Sequence, residues 1–489
     1  MAIHYDTIII GAGHNGLVAA AYLAKQGKKV LVLECRATVG GSVVTESFGE
    51  GFIVDSVQTG GTLCPDIIKD LKLALPKVGE KPAFISLQPD GNHLTLNAES
   101  IKRFSEKDAA RWDEFVRFMN KSAKILEKAY STIMPRLPMN FTAKEGFGLM
   151  DLGLNLRLAG RKDMLNFIRA LPMTTQELLE EYFESEQVRA AIASVAIHGS
   201  TLGPMSAGTG YTLIHNWLNR GGLAHTNVGK AGEITNALAN AVKSLSGEIR
   251  TEAEVTKICV ENQAAKSVML ASGEEIMANT ILSAADPKHT LLKLVGPMEL
   301  PPEFVWHTQS IKMRGSVAKV HLLTDGKHGI PGGTVVLAPS IKYLEKAYDA
   351  AKYGEISEKP YLEVTTAGNI VSIHFQFAPY KLKNGSWNME KGTVEKIAID
   401  KLAEYFSNLK SSIGNTKTIT PKDLEETYGL TEGDLNHGQL MLDQFLFMRP
   451  IPGWSNHQTP IDNLYLCGSG VHGGGGVSGA AGQNVVKVL

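Results

Sequence analysis

This chain has no surplus of charge, no close cysteine pair and no long apolar run, and each absence removes a class of function. Its 49 Lys and Arg residues are balanced by 50 Asp and Glu, for a net charge of -1. Proteins that hold nucleic acid draw on a basic surplus, so no nucleic-acid partner is expected. Cys35, Cys64, Cys259 and Cys467 lie far apart. No CxxC spacing offers zinc ligands or a redox dithiol, and reduced thiols in or near a core are expected, with no metal site. No apolar stretch approaches the ~20 residues needed to cross a bilayer, which leaves peripheral contact with a membrane surface as the form of attachment still open. The opening MAIHYDTIII runs straight into an apolar strand without a cleavable leader. A cytoplasmic location is expected, with or without attachment to a membrane surface. Repeats and low-complexity tracts are missing as well.

Glycine is the residue in excess, with 49 in a chain of 489 against about 7% in average proteins. Many of these glycines stand in short clusters, as they do where backbone must approach a ligand closely. The first cluster follows the β-rich run Thr7–Ile10 and precedes apolar residues at helical spacing from Asn15 to Gln26, with Gly27 as the stop. A second apolar run, Val30–Leu33, completes a strand, glycine turn, helix, strand unit, the first half of a doubly wound sheet. Within the turn, Gly11-x-Gly13-x-x-Gly16 has the dinucleotide fingerprint spacing. The first glycine makes the tight turn, the second admits a pyrophosphate to the backbone, and the third lets helix meet strand, while the helix N-terminus faces the phosphate charge.

Glu34 ends the second strand at the distance where a carboxylate accepts hydrogen bonds from ribose hydroxyls and repels a 2′-phosphate. That selects an adenosine with a free ribose, as in NAD or FAD. The doublet Gly40-Gly41 offers a second close approach to a diphosphate, which a simple NAD-binding unit does not need. An ordinary turn is the alternative reading of that doublet.

Further along, Asp108–Tyr130, Gln176–Ala196 and Gly232–Leu245 read as helices. Glu248–Arg250, Glu254–Val260, Lys266–Leu270 and Glu275–Ala278 read as a small β-meander, and Leu282–Asp286 as a further strand stopped by Pro287. A mixed α/β region follows. Near the C-terminus, the strand Leu464–Cys467 enters a glycine run, and a last helix starts at about Gly479.

Three stretches together, IIIGAGHNGLVAAAYLAKQGKKVLVLE with Gly40-Gly41, GEEIMANTILSAADP, and LYLCGSGVHGGGGVSGAAGQN, resemble the phytoene-desaturase-like FAD-dependent oxidoreductases. Within them the chain is most similar to the branch named for a pyridine nucleotide-disulfide oxidoreductase domain; LDQFLFMRPIPGWS and GTGYTLIHNW carry that likeness. Without a cysteine pair, disulfide chemistry is not implied. The resemblance implies an α/β fold in which a discontinuous Rossmann-type FAD-binding domain (1–75, 225–290 and 440–489) carries an inserted, helix-rich mixed α/β substrate domain (76–224 and 291–439).

It also implies non-covalent FAD. Gly11, Gly13 and Gly16, with His14 and Asn15, would hold the pyrophosphate, Glu34 the ribose with Arg36 close by, and Gly40, Gly41 and Ser42 the diphosphate from the other side. Val255 would face adenine, Asp286 would stand beside the cofactor, and Gly468, Ser469, Gly475, Gly476 and Val477 would lie along the ribityl chain and flavin. The last helix would aim its positive end at the flavin's pyrimidine edge. Two positions depart from the family pattern. Ser42 replaces a common arginine, and Gly473 replaces the usual proline.

The reaction implied is a two-electron oxidation or desaturation of a small apolar substrate by hydride transfer to flavin N5, with an unassigned electron acceptor. A flavin amine oxidase and a non-catalytic FAD-holding interaction protein are the alternatives. His472, beside the glycine run, is the catalytic candidate, with Tyr211 and His215 as residues facing a substrate cavity. Each also reads as an ordinary structural side chain.

Overall fold

Two runs without polar interruption, Thr7–Ile10 and Val30–Leu33, can only be strands covered on both faces. They are the centre of the main sheet. The computed structural model describes residues 4–75, 82–136, 143–158 and 160–489. In it His4–Ile10 pairs in parallel with Val30–Leu33 on one side and with Glu275–Ser283 on the other, and Val30–Leu33 pairs in parallel with Glu248–Arg250. The far half of Glu275–Ser283 takes Leu464–Leu466 as a further parallel neighbour, and its near half begins an antiparallel meander with Ala264–Leu270 and Val255–Glu261. Glu275–Ala278 and Leu282–Asp286, expected as two strands, are one continuous strand to Ser283. Its parallel bonds to His4–Ile10 run on through the middle, leaving no break.

The period-2 alternation of the first strand sets the layers. Ile8 and Ile10 point into the core shared with the meander and with His289–Val295, while Ile9 points into the core made by three helices. Those helices are His14–Lys25, Ala231–Ser244 and Ala480–Val488. The first and last cross so closely that a Cβ on Gly482 would stand 2.1 Å from the Asn15 carbonyl oxygen.

A second, mostly antiparallel sheet takes the order Ile413–Ile419, Val317–Thr324, Ile370–Gln376, Tyr361–Ala367, Thr334–Leu337, Phe84–Ser86, Leu94–Thr95. Ala318, Val320, Leu362, Val364, Ile373 and Phe375 form a core on one face with the helix Trp387–Ala403. The alternate residues Lys319, Glu363, His374 and Gln376 are polar and also buried. This sheet therefore turns a polar face inward. Its cover is a group of helices that includes Glu106–Tyr130, Glu186–Ile197 and Thr209–Arg220.

The helix expected over Gln176–Ala196 is two helices, Thr175–Glu180 and Glu186–Ile197. Asp108 on the long neighbouring helix accepts from the backbone amides of Glu184 (2.8 Å) and Ser185 (2.9 Å), and the Ser185 hydroxyl caps the second helix. These bonds compensate the break. Among the described residues no helix is long and apolar enough to cross a membrane.

Gly482→Ala tests the crossing of the terminal helices. Helix propensity alone favours alanine by about 1 kcal/mol. The contact with the Asn15 carbonyl is expected to reverse that sign and give net destabilisation in urea unfolding of the apoprotein. A gain in stability would show that the two helices do not meet this closely.

Candidate functional site

In a parallel sheet, ligands lie in the crevice outside the carboxyl ends of the strands. Here the registers Ile10 with Leu33, Ile10 with Ser283 and Ser283 with Leu466 bring four carboxyl ends into line. Immediately beyond them is a cleft of about 390 Å³. Gly11, Gly13, His14, Asn15 and Gly16 form one wall, and Glu34, Arg36, Gly40, Gly41 and Ser42 another, with Val255 and Ser469 closing it. The structure thus gathers twelve of the sequence-expected cofactor residues around one space.

The glycines differ in what surrounds them. A Cβ on Gly16 would stand 2.3 Å from the Gly11 carbonyl oxygen, whereas one on Gly13 would meet nothing within 4 Å. Gly16 lets helix and turn pack, and Gly13 leaves room for a ligand. The helix His14–Lys25 has no side-chain cap and no acid in its first turn, so its free N-terminal amides suit a diphosphate. Glu34 is held ready, with Oε2 accepting from Ala12 N (2.8 Å) and Oε1 from Arg36 N (3.0 Å).

Arg36 stands beside the glycine doublet, donating to the Gly41 carbonyl (3.1 Å), but its charge is taken by Glu46 and its guanidinium lies over the Tyr428 ring. It therefore does not supply the free cation that Ser42 leaves missing. Asn15 Nδ2 donates to Ser469 Oγ (3.2 Å) and ties the fingerprint helix to the C-terminal loop.

Three buried polar atoms of this cleft, His14 Nε2, Asn15 Oδ1 and His437 Nδ1, have no hydrogen-bond partner among the described residues. Burial, followed by the nearby His437, pushes the His14 imidazole down to about 4, so it is neutral at ordinary pH. A dinucleotide has the hydroxyl, amide and phosphate groups to satisfy such atoms. The donor set and the space at Gly13 fit FAD.

Other sequence-expected residues lie elsewhere. Asp286 is fully buried and not in the wall. It accepts from His289 N (2.9 Å) and from the Thr431 hydroxyl (2.6 Å), so it fixes the loop that lines the cleft rather than touching a ligand there. Gly468 is demanded by packing, since its Cβ would stand 2.4 Å from the Ala284 carbonyl oxygen. The last helix starts at Gly479 against Val18, Leu63 and Ile67, outside the cleft. Gly473 has φ +79°, which a proline cannot adopt.

His472 is a correction. It does not line the cleft, and its Nε2 lies 3.0 Å from the carbonyls of both Ala129 and Thr132, clamping the glycine run to the end of a long helix. Burial pushes it down to about 3. A ring nitrogen engaged by two carbonyls gives this histidine a structural task.

Gly476 and Val477 line a second cavity of about 60 Å³, together with Gly60, Gly61, His215, Asn219, Arg220 and His225. Gly475 adjoins it, with φ +97° and the His215 ring against it. His215 Nδ1 is 2.7 Å from the Tyr130 hydroxyl, which is 2.8 Å from that of Tyr211, and Asn219 Nδ2 faces His215 Nε2 at 3.1 Å. His215 reaches the cavity, and Tyr211 stands behind it. Burial, then Arg449, takes His215 down to about 3.

Below the cavity lies the inward polar face of the second sheet, where Lys319 registers with His374 and His374 with Glu363 across three strands. Arg220 donates to both carboxylate oxygens of Glu363 (3.0 and 3.3 Å), and His225, His198 and the Tyr361 hydroxyl also meet that carboxylate. Burial alone would raise Glu363, but Arg220, His198 and His225 together outweigh it and hold the carboxyl well below its ordinary range. His198, His225 and Glu363 place three potential metal donors within 4.8 Å of one another. The guanidinium already occupying both oxygens opposes a divalent cation there, and the group reads as an ion-pair cluster.

Lys319 is 2% exposed, and among the described residues the one hydrogen bond of its amine is a long contact, 3.4 Å, with the Thr59 hydroxyl at the cavity wall. Burial pushes its amine down to about 8. Sequence reading did not single out Lys319, Glu363, Arg220, His198 or His225. The signal present was polar residues two apart, Lys319 with His321, Glu363 with Thr365, and Ser372 with His374 and Gln376, within VAKVHLLT, YLEVTTA and IVSIHFQ, a pattern that fits a solvent-facing side equally well.

Comparison with known proteins places these features. The family model for flavin-containing amine oxidoreductases matches residues 16–483. The chain is 30% identical to pyridine nucleotide-disulfide oxidoreductase domain-containing protein 2 of Rattus norvegicus, over 99% of this chain and 93% of that protein. It is 26% identical to a neurosporene-forming phytoene desaturase of Cereibacter sphaeroides, over 97% and 92%. A redesigned triple mutant of putrescine oxidase has the same fold, with a TM-score of 0.63 at 15% identity over 99% and 98% of the two chains.

Two measurements check this site. Gly13→Ala is expected to cost the apoprotein no more than about 1 kcal/mol, as a change at a helix cap, yet to abolish most FAD binding. Gly16→Ala is expected to destabilise the apoprotein by about 1–3 kcal/mol through overpacking. Equal FAD occupancy in wild type and Gly13→Ala would remove the diphosphate from this turn. For Lys319, the native amine loses its proton near pH 8 and the unfolded one near 10.5. In that window the unfolded chain holds more protons, so stability rises with pH. Apoprotein carrying Lys319→Met should be more stable than wild type at pH 7, by up to about 3 kcal/mol, with the difference vanishing toward pH 10.5. A variant less stable at pH 7 would contradict the unfavourable burial.

Proposed function

The chain belongs to the flavin-containing amine oxidoreductase family and is an FAD-dependent oxidoreductase; from that premise we propose that it removes two electrons, as hydride, from a carbon of an organic substrate whose reacting end enters the second cavity. The observation that carries this reading is the position of Lys319, a buried amine of lowered pKa against Thr59 at the wall of that cavity.

FAD, when bound, supplies a two-electron acceptor at flavin N5. Oxidation of a carbon bearing a hydroxyl or amine also releases a proton from that group. Lys319, deprotonated above about pH 8, has the basicity to take it up near neutral pH. Arg220 and Glu363 keep one another's charge fixed, and His198 and His225 stay neutral beside them because burial lowers both. The Tyr211–Tyr130–His215–Asn219 chain orients the His215 ring at the cavity wall.

Among the lining side chains only Leu435 and Val477 are aliphatic. A wholly apolar substrate would leave the histidine and amide groups of the wall without partners, so this lining favours a polar reacting end over the apolar chain implied by the desaturases.

Anaerobic titration with secondary alcohols, primary amines and alkenes, followed at the flavin absorbance, separates these substrates. Reduction is expected from a substrate bearing a hydroxyl or amine, at a rate rising from pH 7 to 9. In Lys319→Met that pH limb should disappear and the rate fall about 10²–10⁴-fold. An unchanged profile in the variant would take Lys319 out of the reaction, and reduction by alkenes alone would return the assignment to desaturation.

A further inference from the structure

Three spaces stand in a row outward from the second cavity. A neck of about 10 Å³ shares Gly199, Leu435 and Asn436 with it. Beyond the neck is an open cleft of about 540 Å³ that shares Thr201, Arg314, Gly315 and Ser316 with the neck. Its size is that of an organic-ligand site, and no role described above uses it.

The lining has a distinct chemistry. Phe377 is buried in it, the Tyr348 ring packs 5.6 Å from Phe377, and Tyr380 stands beside them. Four cations also line it, against one acid, Glu432. Lys383 is neutralised by Glu355 at 2.7 Å, but Arg314, Lys352 and Lys381 are exposed and make no ion pair among the described residues. Burial pushes the Glu432 carboxyl up. Aromatic surface overhung by unpaired cations attracts a ligand that is apolar in its body and negative at one end.

We propose that this outer cleft is the port that holds the substrate by an anionic group. The substrate is then an organic anion, its flat apolar body on Tyr348, Phe377 and Tyr380 and its carboxylate, sulfonate or phosphate among Arg314, Lys352 and Lys381, with the opposite end directed to the neck. The neck is bridged by Ser316 Oγ donating to the Ser200 carbonyl (2.8 Å), Gln376 Nε2 donating to the same oxygen (2.5 Å) and Asn436 Nδ2 donating to the Gly199 carbonyl (3.3 Å). The reacting end passes inward when these bonds part. The assignment to substrate rests on the oxidoreductase reading above, whereas anion binding in the cleft does not.

The experiment is equilibrium dialysis of the FAD-loaded protein with naphthalene-2-carboxylate, its neutral amide and the corresponding naphthylmethylamine, with flavin occupancy read by absorbance on the same samples. The carboxylate is expected to bind at least tenfold more tightly than the amide, and the amine more weakly still. Arg314→Gln with Lys381→Gln should erase the preference, and Arg314→Lys with Lys381→Arg should keep it. Equal binding of carboxylate and amide, or a preference that survives the glutamine pair, overturns the port. A carboxylate preference in protein that holds no FAD would sink the oxidoreductase reading and leave the anion site standing. Full flavin occupancy without a preference would do the reverse.

Discussion

Ser283 pairs with Ile10 on one side and with Leu466 on the other, and the rest of the site depends on that double register. It sets the fingerprint turn, the Ala284–Asp286 corner and the C-terminal glycine run side by side at the carboxyl edge of one sheet. Because the strands are parallel, their polar ends accumulate at that edge rather than alternating between edges. A shift of one residue in either pairing would invert the faces of the strand and remove Ser469 from Asn15, parting the two walls of the cleft.

The parts of the molecule written in strict periodicity were legible in the sequence. Val30–Leu33 and Glu248–Arg250 have the expected limits, and the helices read as Asn15–Gln26, Asp108–Tyr130 and Gly232–Leu245 begin and end within two residues of expectation, because an apolar stripe at helical spacing leaves little choice. That the glycine turn and Glu34 would stand together was legible for a related reason. Gly11, Gly13, Gly16 and Glu34 form a local motif, within 25 residues of one another, whose spacing is imposed by the backbone. Where a tertiary partner overrides local preference, sequence reading failed. The segment 176–196 is continuous by periodicity, and Asp108, more than 70 residues away, makes the break favourable.

The second cavity was illegible for a different physical reason. Alternation in a strand states that two faces differ, not which one meets water. Lys319, Glu363 and His374 occupy the polar phase of three strands that pair only after distant segments have met. Their burial is a property of the helices laid over them. His472 is the opposite case. Its place beside the glycine run suggested chemistry, but two backbone carbonyls within reach of one ring nitrogen give it a structural task.

The bond between Asn15 and Ser469 joins residues 454 positions apart. During synthesis the fingerprint helix is made long before its partner exists, and ordering non-local contacts of this kind is slow because loop closure must precede them. Until the C-terminal strand and helix arrive, the apolar side of the first helix and one edge of Glu275–Ser283 lack their cover. The nascent chain therefore carries a half-built nucleotide fold through most of translation, a period in which chaperone binding to that exposed face would guard it from aggregation.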